Sequence, residues 1–474
     1  MFSIHYVPLS VALRRCGGNS TLIRWLTLSL SLVVSTACGV RTDGQVNGSS
    51  AGDSQLPSLG GSPNGDYRQR PLSCDIGDLK SWVHDSMLDY YLFYDQVDRN
   101  TNLDNYSTIE TLITDLRIGP YDTFSYITDE QSHSDRFTEG KTVGFGWVLT
   151  RTQSDDFYFK LVEANSPFAA AGVERGNRLV AINGIAPLDF FSLDSSVRDE
   201  LLSSEDNGAT GEFTIEDALG GTRTLNLAKA RYDLDTVLDT RVLEHGGLRV
   251  GYLHFYQFLN TSAEELADAF ATLANDNIDE LVLDLRYNYG GRVLIANELA
   301  SYVVGGGKSD QAFAVYQPND KYREFTSTIH FVDQLSALNL SRLFVLQSGD
   351  TCSASELVVN GLRPFMDVIT VGDTSCGKPY ATIPNTACGK VMNALELEAV
   401  NADGGGGYYS GIAADCPSSD NLSQELGSAS ENLLSSALGY IDTGLCPSAT
   451  SRSVGDTREL PDSVRPRWFG ISTL

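Results

Sequence analysis

LFVLQSGDTCSASELVVNGLRPFMDVITVG, residues 343–372, runs from an unbroken apolar stretch through a glycine-marked polar corner into helical spacing, then into a second apolar stretch. Short apolar runs bounded by turn residues read as strands buried on both faces, as in a parallel sheet covered by helices. The segment between them is long enough for one crossover helix, and such crossovers are right-handed. The corner itself raises a chemical question. Ser353 and Glu356 have the S-x-x-E spacing of a capping box, in which each side chain satisfies an orphan backbone N–H. Ser353 is therefore a helix cap, or it stands at the end of a strand as a nucleophile.

The same alternation precedes this stretch. LRVGYLHFYQF (248–258) reads as a strand, SAEELADAFATLA (262–274) as an amphipathic helix, and ELVLDLRYN (280–288) as a buried strand ending at Gly290-Gly291. VLIANELASYVV (293–304) is the next helix. Strands alternating with helices predict a largely parallel α/β sheet. Active groups in such sheets gather at the carboxyl ends of strands. Ser353, Gly290 and the loop after Gly372 all fall there.

That loop, GDTSCGKP (372–379), fits the first seven positions of a phosphate-binding P-loop, but Pro379 stands where a hydroxyl must reach Mg²⁺. Lys378 needs another role. It lies 25 positions after Ser353, a path of one helix and one returning strand, which brings it back beside the serine. A nucleophilic serine needs a base. The six histidines, His5, His84, His133, His245, His254 and His330, occupy no triad context, and the G-x-S-x-G elbow is absent. A lysine at its reference pKa is only ~0.04% neutral at pH 7, but burial in a dry site lowers that pKa by several units.

The chain has 474 residues, enough for two or three domains, and a net charge of −27. So negative a surface excludes nucleic acid and anionic lipid as main partners. Near the N-terminus, Arg14, Arg15 and Arg24 precede LTLSLSLVVSTA (26–37), an apolar run too short to span a bilayer. With the next residue, Cys38, it resembles a bacterial lipoprotein signal, in which that cysteine is lipidated; plain signal cleavage and a retained anchor are the alternatives. Either way the protein is expected outside the cytoplasm, in the periplasm or anchored to the outer membrane, touching membrane only through the lipid. Residues 39–73 read as a flexible tether. The six cysteines beyond it suggest disulfides. The 12-position spacing and Gly, Pro and Asn content of the loop predict a Cys376–Cys388 bridge around Lys378, with Cys416–Cys446 next and Cys74 as a competing partner. Cys352 reads as a packing or disulfide residue. No C-x-x-C or H-E-x-x-H occurs, so neither a metal site nor a cofactor is expected.

Two segments precede the α/β region. Leu79, Trp82, Val83, Met87, Tyr90 and Tyr91 recur at helical spacing over residues 76–96, and STIETLITDLR (107–117) is a second helical stretch. Residues 140–230 read as strands, a short Ala-rich helix and a hairpin meeting at Gly220-Gly221. They resemble a PDZ domain in the Gly144-Phe145-Gly146 loop, the SPFAAAG helix start and RLVAING. Such domains add a peptide to a sheet edge and hold its terminal carboxylate on loop N–H groups.

LVLDLRYNYGG, SASE and CGK, in that order and after a PDZ-like segment, resemble the tail-specific (carboxy-terminal processing) serine proteases over residues 75–446. The resemblance implies a core of the crotonase/Clp-protease kind, with Ser353 as nucleophile and Lys378 as base. It implies an oxyanion hole from the N–H groups of Gly290 or Gly291 and of Ala354. Substrates would be polypeptides with accessible C-termini. The family often has Gln or Glu four residues after the lysine. Here Thr382 stands there, so Thr382 or Tyr380 is left to orient it. The domain plan is signal 1–38, tether 39–73, helical domain 74–138, PDZ domain 139–232, catalytic domain 233–450 and tail 451–474. A PDZ lipoprotein that binds peptides without cleaving them is the rival reading.

Overall fold

The computed structural model describes residues 69–202 and 208–447, with two short strands at Thr457–Arg458 and Ser472–Thr473. The signal segment 1–38 with Cys38, the tether up to residue 68 and the rest of the tail 451–474 lie outside the described residues. Among those described, no helix is long and apolar enough to cross a membrane.

The apolar runs form one sheet, in the order Cys416–Pro417, Asp367–Gly372, Arg342–Gln347, Glu280–Asp284, Leu248–Phe255, Val237–His245. Neighbours are parallel except the last two, a hairpin that turns at Gly246 (φ 60°) and Gly247 (φ 84°). Side chains alternate across the sheet. Leu253, Leu283 and Val345 pack under helices Ser262–Asn275, Val293–Val304 and Ala354–Leu362. Tyr252, Val282 and Phe344 face the opposite side, against helix Asn432–Thr443. Both faces are covered, which is why the strands read as continuous apolar runs. The expected strand 280–288 stops at Asp284, whose carboxylate accepts the Arg286 N–H at 3.0 Å and turns the chain toward the glycine pair.

A second six-stranded sheet, absent from the alternating pattern, includes Tyr380–Thr382, Leu395–Val400, Ala312–Pro318 and Ser327–His330. It also pairs Ser472–Thr473 with Gly291–Arg292 and with Thr382. The first helix, Ile76–Asp89, is shorter than the 76–96 spacing predicts because Leu92 donates its N–H to Leu395 O at 2.9 Å instead of continuing the turn. Helix Ile109–Leu116 is capped by Thr108, which accepts the Thr111 N–H. These helices, with Tyr91 just beyond the first, bury Trp82, Met87 and Leu112 against Tyr380, Met392 and Leu395. Their core is thus shared with distant chain.

Within residues 141–233, strands Lys141–Gly144 and Ala230–Asp233 pair with each other, and the five strands between Trp147 and Ala228 form an antiparallel sheet around Phe145, Phe157, Phe159, Phe168 and Phe213. Its edge strand, Trp147–Thr152, pairs with Thr457–Arg458. Short helix Pro167–Ala170 is capped by Ser166.

The expected Cys376–Cys388 bridge is not formed. Cys376 joins Cys352 (Cα–Cα 5.1 Å), Cys388 joins Cys74 (5.6 Å), and Cys416 joins Cys446 (5.2 Å). The chain between 376 and 388 does not close on itself. It runs out as strand Tyr380–Thr382 and enters the Asn385–Ala387/Lys390–Asn393 hairpin, carrying Cys388 to the first helix. Cys376 stays behind, its N–H bonded to Thr351 O at 3.1 Å.

Candidate active site

Ser353 caps helix Ala354–Leu362 at the end of strand Arg342–Gln347, with φ 61° and ψ −109°. A serine in this region costs about 1–3 kcal/mol and persists only when its surroundings over-determine it. Here they do. Cys352 N–H and Ser355 Oγ both donate to Asn288 O (3.0 and 3.1 Å), Thr351 Oγ1 donates to Leu285 O (2.8 Å), and Ser353 N–H donates to Glu356 Oε2 (2.8 Å). Only the glutamate arm of the capping box is hydrogen-bonded. Among the described residues Ser353 Oγ has no hydrogen-bond partner, although the residue is 2% exposed.

Glu356 does more than cap. The same Oε2 accepts the N–H of Lys378 at 2.8 Å, while Oε1 accepts Gly377 N–H (2.8 Å) and Ser375 Oγ (2.5 Å). One buried carboxylate therefore ties the Ser353 corner to the lysine loop. Burial raises its pKa, opposed by these hydrogen bonds. The Cys352–Cys376 disulfide makes a second, covalent tie between the same two loops. The two sulfurs and the Glu356 carboxylate lie within 4.8 Å of one another, but a disulfide supplies no thiolate ligand, so the cluster is not a metal centre.

Lys378 is 1% exposed, and its Nζ also lacks a hydrogen-bond partner among the described residues. Burial pulls its pKa down to about 7, against the opposing charges of Asp122 and Glu356. Nζ lies 5.2 Å from the ring centroid of Phe124. Neither proposed orienting residue bonds it. Thr382 Oγ1 faces Asn393 Oδ1 at 3.4 Å, and Tyr380 packs between Phe93 and Tyr409 (centroids 5.9 and 5.8 Å).

Of the oxyanion candidates, Gly290 donates its N–H to Asn288 Oδ1 at 2.9 Å, so that donor is engaged. Gly291 has φ 139°, and a Cβ there would come within 2.1 Å of Phe258 O; only glycine fits. Ala354 opens the first turn of its helix, where N–H groups lack intrahelical partners and the dipole is positive.

At the 147–228 sheet, Gly144, Phe145 and Gly146 form the corner before the edge strand. Phe145 is buried in the phenylalanine core, and Gly146 (φ 84°) packs so closely on Ser166 that a Cβ would lie 1.9 Å from it. This sheet touches the site's supports. Lys160 is ion-paired with Asp350, and Arg175 donates to Tyr287 Oη (2.7 Å) and Asp420 (2.5 Å).

The structure thus gathers Ser353, Ala354, Lys378 and the glycine pair at strand ends, and leaves Thr382 and Tyr380 without a bond to the lysine. Sequence reasoning missed Glu356 as a tie, although its spacing marked it as a cap and it is the one charge in an otherwise uncharged helix. It missed Asp122 and Phe124 because nothing local links them to position 378.

The sequence profile of Peptidase family S41 matches residues 249–416, and that of the Peptidase S41 N-terminal domain matches 78–126. A carboxyl-terminal-processing protease of Picosynechococcus sp. (strain ATCC 27264 / PCC 7002 / PR-6) is 28% identical over 245 residues, 51% of this chain and 55% of that protein. Carboxy-terminal processing protease CtpB of Bacillus subtilis (strain 168) is 25% identical over 296 residues, 60% of this chain and 56% of that protein. The chain thus spans a little over half the length of these relatives. The fold is shared with an S41 protease structure from Bacteroides fragilis NCTC 9343 at TM-score 0.59 and 23% identity, over 80% of this chain and 99% of that one. Residues 78–126 and 249–416 thus carry the sequence patterns of peptidase family S41, and over them the chain is similar to carboxy-terminal processing proteases.

Proposed function

We propose that the protein is an exported serine endopeptidase that cleaves polypeptides with a Ser353–Lys378 dyad. The observation that carries this reading is one arrangement: two buried side chains, Ser353 Oγ and Lys378 Nζ, without hydrogen-bond partners among the described residues, on loops tied by Glu356, with the lysine's pKa lowered to about 7. Neutral Lys378 takes the hydroxyl proton as Ser353 Oγ attacks the peptide carbonyl. The resulting ammonium returns that proton to the leaving amine, and water then releases the acyl group from the serine. The N–H groups of Ala354 and Gly291 receive the developing oxyanion, since that of Gly290 is engaged.

Substrate choice belongs, in this reading, to residues 139–232 acting as a PDZ domain. The Gly144-Phe145-Gly146 corner leads into an edge strand that already accepts an added antiparallel strand, Thr457–Arg458, which supports peptide addition there. The run ending at Cys38 supports export and a lipid anchor. The test is to incubate the purified protein with an unfolded protein substrate beside a Ser353→Ala control. Cleavage by the parent alone is expected. Equal cleavage by both removes Ser353 from the mechanism, and none by either, across pH values, favours a peptide-binding protein without hydrolysis.

A further inference from the structure

A base that loses and regains a proton must be aimed at the serine in both states, and Lys378 has no hydrogen-bond partner among the described residues to aim it. The groups that act on its charge are Asp122, from the loop after helix Ile109–Leu116, and Glu356, from helix Ala354–Leu362. Neither carboxylate bonds Nζ. The oxygens of Glu356 accept from Ser353, Ser375, Gly377 and Lys378 main-chain or hydroxyl donors. Those of Asp122 accept Phe124 N–H (2.8 Å), Ser125 N–H (2.8 Å), Ser125 Oγ (2.5 Å) and Tyr91 Oη (2.8 Å).

What does meet Nζ is the ring of Phe124, with its centroid 5.2 Å away and within cation–π reach. We infer that Phe124, held in place by Asp122, is the positioning residue for Lys378, and that the N-terminal helical domain thereby completes the base pocket. The inference rests on the dyad reading above. The loop is anchored firmly enough for the task. Tyr91 Oη, which donates to Asp122, also accepts Ile118 N–H at 3.1 Å, and Ser125 Oγ accepts Leu395 N–H at 3.0 Å from the second sheet. A carboxylate bonded to the ammonium would favour the charged form strongly. An aromatic face attracts it more weakly, so the ring orients the ammonium and still lets the proton go. The ring also covers the amine from water, and this keeps the neutral form accessible. Phe124 thus takes the place of the longer polar side chain missing at Thr382.

Two effects of the ring have opposite signs, which makes the test specific. Phe124→Leu keeps the pocket dry but removes the π face, so the ammonium loses an attraction and the lysine pKa falls by about half a pH unit. Phe124→Ala admits water, so the pKa rises, by about one unit. Phe124→Tyr restores the face and leaves it unchanged. The readout is the ¹³Cε resonance of labelled Lys378, assigned by its loss in Lys378→Met, followed through pH in the full chain. The acid limb of kcat/KM should move in parallel. Identical midpoints in all three variants and the parent overturn the proposal, as does a fall in every variant including Phe124→Tyr. If the parent hydrolyses nothing, the dyad reading falls, while the Cε titration still decides the role of Phe124.

Discussion

A lysine at its ordinary pKa is neutral in ~0.04% of molecules at pH 7, whereas one held at about 7 is neutral in about half of them. Burial supplies that difference, and it predicts a sign. With Lys378 as the proposed base the active form is the deprotonated one, so kcat/KM should rise about tenfold per pH unit below the lysine pKa and level off above pH ~7.5. Stopped assays on a peptide substrate across pH 5–9 would read this. A rate that is flat through this range, or falls as pH rises to 7, contradicts a neutral lysine base. Lys378→Arg keeps a charge of similar length but cannot deprotonate. Its kcat should drop by at least about a thousandfold with the fold retained by circular dichroism. Ser353 and Lys378, the proposed nucleophile and base, could be picked out from sequence because such a pair is expected as particular residue types at a set spacing. Glu356 was half readable: its distance from Ser353 announced the bond to that N–H, but the bonds to Gly377 and Lys378 depend on where the next strand returns.

Between strand Arg342–Gln347 and strand Tyr380–Thr382, Ser353 and Lys378 stand on loops that Glu356, from the helix between them, ties together. The Ser353 corner is gripped from below by Asn288 O and Leu285 O, and the lysine loop hangs from Glu356. The Cys352–Cys376 disulfide closes a loop spanning the intervening helix and strand, with a sequence separation of 24, worth about 3.5 kcal/mol in the chain-entropy treatment. Its two ends stand next to Ser353 and two residues before Lys378. Replacing both cysteines, Cys352→Ser with Cys376→Ser, should therefore lower kcat by about ten- to a hundredfold with KM little changed, because small misplacements of reacting groups are that costly. Reduction of the parent by a dithiol should act in the same direction. Unchanged kcat in the double variant, with the disulfide verified by peptide mapping of the parent, would make the bridge merely structural. The sequence pointed to a bridge at Cys376 but not to its partner. Loop composition says how readily a chain turns, and the partner is set by which other loop stands beside it.

At the scale of the whole molecule, the 147–228 sheet is joined to the site through Lys160–Asp350 and through Arg175 to Tyr287 and Asp420. Asp350 lies three residues before Ser353, and Tyr287 three before Gly290, so the sheet rests on the supports of both the proposed nucleophile and the proposed oxyanion segment. The edge that would receive a substrate tail carries Thr457–Arg458 of the chain's own tail. An added peptide has to displace it or share the edge. Removing residues 448–474 should therefore lower KM for a peptide with a free apolar C-terminus several-fold, with a smaller change for the same peptide amidated. Steady-state kinetics on the two peptides would read it. Indifference of both the parent and the truncated chain to amidation would mean that no carboxylate is read at the Gly144-Phe145-Gly146 corner.

What the sequence determined by itself was whatever its neighbours in the chain enforce. Apolar runs such as LVLD and LFVLQ, short and bounded by turn residues, read as strands buried on both sides, and SAEELADAFATLA presents one apolar face only as a helix. The SASE and CGK motifs lie on either side of one crossover, so chain geometry brings them together. The tertiary structure decided the contacts between segments with no short path between them. It paired Tyr126–Asp129 with Lys390–Asn393, joined Cys74 to Cys388, and set Phe124 over Lys378. Each depends on the N-terminal helices burying Trp82, Met87 and Leu112 against Met392 and Leu395. Burial of apolar surface drives that packing without being directional, so the residues concerned show only that they must be covered, and the folded chain alone selects what covers them.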